Sequence, residues 1–195
     1  LLDASTSMLD QTIVNIIRRR NLSPAEQRSS EKWQRGLKTV EWITANMPAT
    51  ARFQIVTFAE AATAVDQTSD GRWLSAETPQ ALENALNQLA DLTPNGGSNL
   101  HAAFGAIENL DPLPDNVFLI TDGLPTQGVR PAKGSLVSAR DRLQHFTDAL
   151  TTLNLTVPIN VILLPMEGDP VASPSFWRLA QITGGAFLSP ARDWP

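Results

Sequence analysis

The chain has no cysteine. That excludes disulfides, Cys-ligated zinc, iron–sulfur clusters and thiol nucleophiles together, and it leaves the redox compartment open. Basic charge is not in excess either. Its 15 Lys+Arg stand against 20 Asp+Glu, a formal net charge of −5 over 195 residues. A basic face for nucleic acid or anionic lipid is therefore not expected. No apolar run approaches the ~20 residues that cross a bilayer, and no stretch reads as a signal peptide. Internal repeats and low-complexity tracts are missing. So are a glycine-rich phosphate loop ending in Lys-Ser/Thr and a Gly-x-Ser-x-Gly elbow. The two histidines carry no motif of a catalytic triad.

What is present is enough to fold. Hydrophobic residues make up 42% and charged residues 18%, a composition that buries a core and suits one domain over 1–195. The chain opens on Leu1-Leu2-Asp3 with no initiator Met. It is therefore expected to be a piece of a longer polypeptide, with most of the first strand, and any anchor or export signal, upstream.

Short apolar runs alternate with amphipathic segments. Leu1-Leu2 reads as the end of a buried strand. A helix from about Met8 to Asn21 carries Leu9, Ile13 and Ile17 on one face. Ser23-Pro24-Ala25-Glu26 starts a second helix, with a serine cap, proline at the first position and a glutamate to close a capping box. It continues through Trp33, Leu37 and Val40. Phe53 to Phe58 is a strand, and Ala61 to Val65 follows closely enough to form an antiparallel hairpin. A helix opens at Thr78-Pro79 and another near Leu100. Val117 to Thr121 is a continuous apolar strand suited to the centre of a parallel sheet. A Gly- and Pro-rich loop, a helix through Leu143, Phe146 and Leu150, a strand Ile159 to Leu164, a helix from Ser173-Pro174 and a strand Ala186 to Leu188 complete the order. The expected fold is α/β: a doubly wound, mostly parallel sheet with one antiparallel edge strand and helices on both faces.

Such sheets place their sites beyond the carboxyl ends of the strands. Three segments land there. Asp3-Ala4-Ser5-Thr6-Ser7 leaves the first strand, Gly96-Gly97-Ser98 opens a helix, and Thr121-Asp122-Gly123 ends the central strand. Their pooled side chains are Asp3, Ser5, Ser7, Ser98 and Asp122, which offer oxygen alone. Two carboxylates with neutral hydroxyls suit a hard cation, Mg²⁺ or Mn²⁺ before Zn²⁺. Five direct ligands leave no room for a partner, so one or both aspartates are expected to act through water.

These residues resemble the metal-ion-dependent adhesion site of the von Willebrand factor A (VWA) family, whose signature is Asp-x-Ser-x-Ser, a Gly-Gly-Thr-Asn loop and a Thr-Asp-Gly segment. Here they read Asp3-Ala4-Ser5-Thr6-Ser7, Gly96-Gly97-Ser98-Asn99 and Thr121-Asp122-Gly123. The resemblance extends over nearly the whole chain, to Phe58 ending the second strand and to Thr183-Gly184-Gly185. Two positions depart from it: Ser98 replaces the usual Thr, and Thr6 stands where many bacterial members have Gly. The resemblance implies a Rossmann-like fold and a metal held by Asp3, Ser5, Ser7, Ser98 and Asp122. It further implies non-enzymatic adhesion or assembly, through a partner protein's Asp or Glu on the metal. It also points to a bacterial source, membrane-anchored or extracytoplasmic through regions outside this chain, although cytoplasmic relatives working beside ATPases exist.

Plainer readings compete. Asp3 and Ser98 are residues that cap helices, and Asp122 before Gly123 is a turn former. Three segments in order, each in the right element, outweigh them. A structural domain with a vestigial metal site is one alternative. A metal-dependent phosphatase is the weaker one, since Ser5 stands where a haloacid-dehalogenase-type enzyme needs its second Asp. His101 and His145 are expected at or near the surface. Arg18-Arg19-Arg20 reads as a solvated face or a docking patch. Trp33, Trp42, Trp73 and Trp177 are expected in or beside the core, and Met166 to Pro170 is a polar loop on the metal edge.

Overall fold

The computed structural model describes residues 1–69, 71–129, 137–153, 156–191 and 193–194. Part of the Gly- and Pro-rich loop, 130–136, lies outside the described residues. The main sheet has six strands: β1 (Leu2–Asp3), β3 (Val56–Phe58), β4 (Ala62–Ala64), β6 (Val117–Thr121), β7 (Ile159–Leu163) and β8 (Phe187–Leu188). Their order is β4-β3-β1-β6-β7-β8. All neighbours pair in parallel except β3 and β4, which form the expected hairpin with Thr57 opposite Thr63. β1 sits in the middle, with Leu2 opposite both Thr57 and Ile120. This is the doubly wound sheet with an antiparallel edge that the order of elements implied.

Helices α5 (Leu100–Glu108), α6 (Ala139–Leu150) and α7 (Ala172–Thr183) cover one face; α3 (Glu31–Ala45) and α4 (Pro79–Ala90) cover the other. Strand alternation divides the core. On β6, Leu119 joins Phe104, Phe146 and Phe176 on the first side, and Ile120 joins Leu2, Trp33 and Leu89 on the second. Leu119, Phe104, Phe176, Leu2 and Trp33 are almost wholly removed from water. Each such side chain contributes about 1.5–3 kcal/mol by burial.

Several segments differ from the sequence reading. The helix drawn from Met8 through Ile17 is two elements: a 3-10 turn at Thr6–Leu9 and α1 (Ile13–Arg19). The break is Asp10. Its carboxylate accepts from the backbone N–H of Gln11 at 2.8 Å and of Thr12 at 3.2 Å, and its other oxygen takes the Arg19 guanidinium at 2.9 Å. Thr12 then caps α1. Met8 and Leu9 are buried, but Ile13, Val14 and Ile17 are about half exposed at 49%, 58% and 48%.

The helix from Ser23 also divides. α2 (Pro24–Arg28) has the expected capping box between Ser23 and Glu26, but it stops before Ser30, and α3 restarts at Glu31. The run Phe53 to Phe58 divides too. β2 (Arg52–Phe53) leaves the main sheet and pairs with β5 (Leu74–Ser75) as an antiparallel ribbon. Gln54 separates the two halves, with its amide turned to Ser69 and to the Arg72 carbonyl. Among the tryptophans, Trp33 is core, Trp73 is partly buried, and Trp42 and Trp177 are about half exposed.

Candidate metal centre

β1 ends at Asp3, wholly buried between β3 and β6. Asp3 Oδ1 accepts from the backbone N–H of Ser5 at 2.9 Å, which bends the chain as it leaves the strand. Asp3 Oδ2 accepts from the Ser98 hydroxyl at 2.9 Å and from the Thr121 hydroxyl at 2.8 Å. The Ser5 and Ser7 hydroxyls are 2.9 Å apart, and Ser7 Oγ donates to Asp122 Oδ1 at 2.9 Å. The five residues named from the sequence therefore form one hydrogen-bonded cluster at the carboxyl edge of the sheet, drawn from three remote segments.

The backbone around the cluster is tied segment to segment. The amide of Ala4 donates to Phe58 O at 2.8 Å, that of Asn95 to Ala4 O at 2.8 Å and that of Thr6 to Gly96 O at 3.0 Å. Thr6 enters the 3-10 turn there, so the loop closes without glycine at that position. Ser98 is held from both sides: its N–H donates to Thr126 Oγ1 at 3.0 Å, and its carbonyl accepts from the amides of Thr126 and Gln127, each at 2.9 Å. Glycine at 97 suits this approach, because a Cβ there would lie 2.7 Å from Gln127 Nε2 and 2.8 Å from Thr126 Oγ1, and one or both side chains would have to shift.

The capping alternatives resolve differently for each residue. Asn99, not Ser98, caps α5, accepting from the amide of Ala102. The Ser98 hydroxyl is thus turned to Asp3. Asp3 makes a local turn with Ser5 but caps no regular helix.

Two side chains outside the expected set join the cluster. Thr121 is one, through its bond to Asp3; its place in the Thr-Asp-Gly segment at the end of a buried strand was the available signal. Lys32 is the other. From the first turn of α3 its Nζ lies 2.5 Å from Asp122 Oδ2, with Lys32 2% and Asp122 4% exposed. The place of Lys32 on α3 brings it to the site. It lies one helical turn before Gly36, whose missing side chain lets α3 settle against Met8 and Leu2. A long side chain on that same face has to run toward the end of β1.

Electrostatics follow from burial. Withdrawal from water pushes the Asp3 carboxyl up to about 6, and the neighbouring Asp122 charge acts in the same direction; the hydrogen bonds from Ser5 and Thr121 oppose both. Such a carboxylate gains by acquiring a cation. Among the described residues no three His, Cys, Asp or Glu side chains gather as metal ligands, and the cluster is carboxylate plus hydroxyl. That chemistry fits Mg²⁺ or Mn²⁺ and is poor for Zn²⁺.

The rim takes in the loop after β7. The Glu167 amide donates to Gln11 O at 2.8 Å. Asp169 Oδ2 accepts from the Leu124 amide at 2.7 Å and pairs with Arg142 at 2.7 Å, tying this loop to the one that carries Asp122. On the opposite side a cleft of about 410 Å³ is lined by Ala4, Glu60, Leu92, Asn95 and Gly96, among others. Of the remaining candidates, Arg19 is engaged by Asp10, while Arg18 and Arg20 are exposed. His101 and His145 are both partly buried. Neither has a part in the hydrogen bonds of the cluster described above.

A central β1, parallel neighbours, one reversed edge strand and a site at the carboxyl end define the VWA fold. A solved structure described as a von Willebrand factor type A from Catenulispora acidiphila matches 97% of this chain with a TM-score of 0.59 and 18% sequence identity. The chain spans 37% of that protein's length. No family model matches the sequence, and no curated protein matches it.

Proposed function

We propose that the chain is a metal-dependent protein-binding module, of the adhesion or assembly kind, in which Asp3, Ser5, Ser7, Ser98 and Asp122 hold Mg²⁺ or Mn²⁺. VWA domains are in general interaction modules and not enzymes, which agrees with the absence of a general base from the sequence motifs. The observation that carries the reading is the single cluster those five side chains form across three segments. A divalent ion bound there would supply an open position for a carboxylate oxygen from a partner protein. Ser5 and Ser7 would offer it neutral hydroxyl oxygens. Asp3 is held in place by the hydroxyls of Ser98 and Thr121, which reduces the ordering needed on binding an ion. Asp3, Ser5, Ser98 and Asp122 are buried, and a charge-assisted contact with an incoming carboxylate would gain from such a partly dry setting.

Titration calorimetry with MgCl₂ and MnCl₂ tests this directly. The wild-type protein is expected to bind one ion, and Asp3→Ala to bind none. Heat-silent titrations of the wild type with both salts into the millimolar range would reject the proposal. They would favour a second reading, a structural domain with a vestigial site, for which the Lys32 ammonium on Asp122 is the specific support.

A further inference from the structure

Lys32 lies outside the ligand set, yet all of its hydrogen-bonding capacity is spent on the site. Nζ donates to Asp122 Oδ2 at 2.5 Å, to Asp10 O at 2.9 Å and to Ser7 O at 3.1 Å. Three donors meet three oxygens, and Met166 Sδ stands at 3.8 Å. A buried ammonium is tolerable when it is paired and saturated in this way. The same contacts clamp the 3-10 turn, since Ser7 and Asp10 are its second residue and its C-terminal flank. Asp122 is divided by them. One oxygen belongs to Lys32, and the other faces Ser7 and, through it, Ser5.

The charge count then differs from that of two aspartates alone. Asp3 and Asp122 bring two negative charges and Lys32 returns one positive charge. A divalent ion entering the cluster meets half of the formal negative charge it would otherwise find. Resting on the metal reading above, we infer that Lys32 is a built-in counter-cation of this site: it ties the first segment to Asp122 without metal and sets the affinity for a divalent ion low. Repulsion between an ammonium and a dication across a few ångströms of protein interior is strong enough to dominate that affinity. A purely structural role for Lys32 predicts the opposite behaviour, because loss of a clamp weakens metal binding instead of strengthening it.

Titration calorimetry with MnCl₂ at pH 7 on the wild type, Lys32→Met and Lys32→Arg separates these cases. Methionine keeps the length of the stem and removes the charge. Lys32→Met is expected to bind Mn²⁺ at least about tenfold more tightly than the wild type. It is also expected to melt at a lower temperature in metal-free buffer and to recover more on adding Mn²⁺. Lys32→Arg, which keeps the charge, should stay within about threefold of the wild type. Should Lys32→Met be insoluble, Lys32→Gln replaces it with the same expected direction. Equal or weaker Mn²⁺ binding by the uncharged variant would overturn the counter-cation and leave the metal site standing. No Mn²⁺ binding by either the wild type or the uncharged variant would overturn both.

Discussion

The hydroxyl of Ser98 donates to Asp3 Oδ2 across 2.9 Å, although 95 residues separate the two in the chain. The contact brings the loop before α5 to the end of β1, while the neighbouring Asn99 caps the helix. Ser98→Ala removes one oxygen while Thr121 still supports Asp3. Its affinity for Mn²⁺ is expected to fall about 10–100-fold, as removal of a ligand or its supporting partner does in metal sites. The melting temperature without metal should change by only a few degrees. Ser98→Thr retains the oxygen and stiffens χ1, so it should bind as well as the wild type or slightly better. Calorimetry on the three proteins decides the matter. An unchanged affinity in Ser98→Ala would remove Ser98 from the set.

Asp3 makes the metal-free protein sensitive to pH in a defined direction. Its carboxyl, at 3.8 when unperturbed, sits at about 6 in the fold. Between those values the folded chain holds a proton that the unfolded chain has released, so stability falls as pH rises. The contribution is complete below about pH 4 and lost above about pH 6, and it amounts to roughly 2–3 kcal/mol. Urea denaturation in chelator at pH 4, 5, 6 and 7 should show this slope as the difference between wild type and Asp3→Asn. The variant cannot release that proton. Metal binding has the opposite sign. Mn²⁺ needs the ionised carboxylate, so affinity should drop as pH is lowered through 6.

Two glycines near the site should respond oppositely to the same substitution. A Cβ on Gly97 would press into Gln127 and Thr126, the residues that hold Ser98. Gly97→Ala is expected to cost about 1–3 kcal/mol and to weaken metal binding together with it. A Cβ on Gly105, inside α5, meets nothing within 4 Å. Gly105→Ala should stabilise by about 0.5–1 kcal/mol through helix propensity and leave the site untouched. Thermal melts with and without Mn²⁺ check both.

How far the residues alone lead is clearest from individual positions. The strand order and reversed edge were readable because β6 and β7 are short, largely apolar runs and because Phe58 and Ala62 are close enough for a hairpin. That Asp3, Ser5, Ser7, Ser98 and Asp122 gather at one edge was readable because each stands at a strand or loop end whose direction the topology dictates. Local breaks were harder. Asp10 reads as an ordinary polar residue in a helical pattern, and only its four-fold use by Gln11, Thr12, Asn15 and Arg19 makes it a terminator. The exposure of Ile13 and Ile17 followed from that break, since α1 no longer had to lie along the core. Gln54 divided a strand for the same kind of reason, with its amide engaged outside the ladder. Lys32 was illegible for a more general one. A lysine at the start of an amphipathic helix is normally solvated, and its burial depends on an acid 90 residues away.

The cluster lies on the seam between the two halves of the hydrophobic interior. Ser98 arrives from the side packed by Phe104 and Phe176, Lys32 from the side packed by Trp33, and Asp3 from the strand between them. This knot ties the two layers to one another at this edge of the sheet. An ion lodged in it would act as a rivet through the whole domain, and its release would register disorder begun on either side.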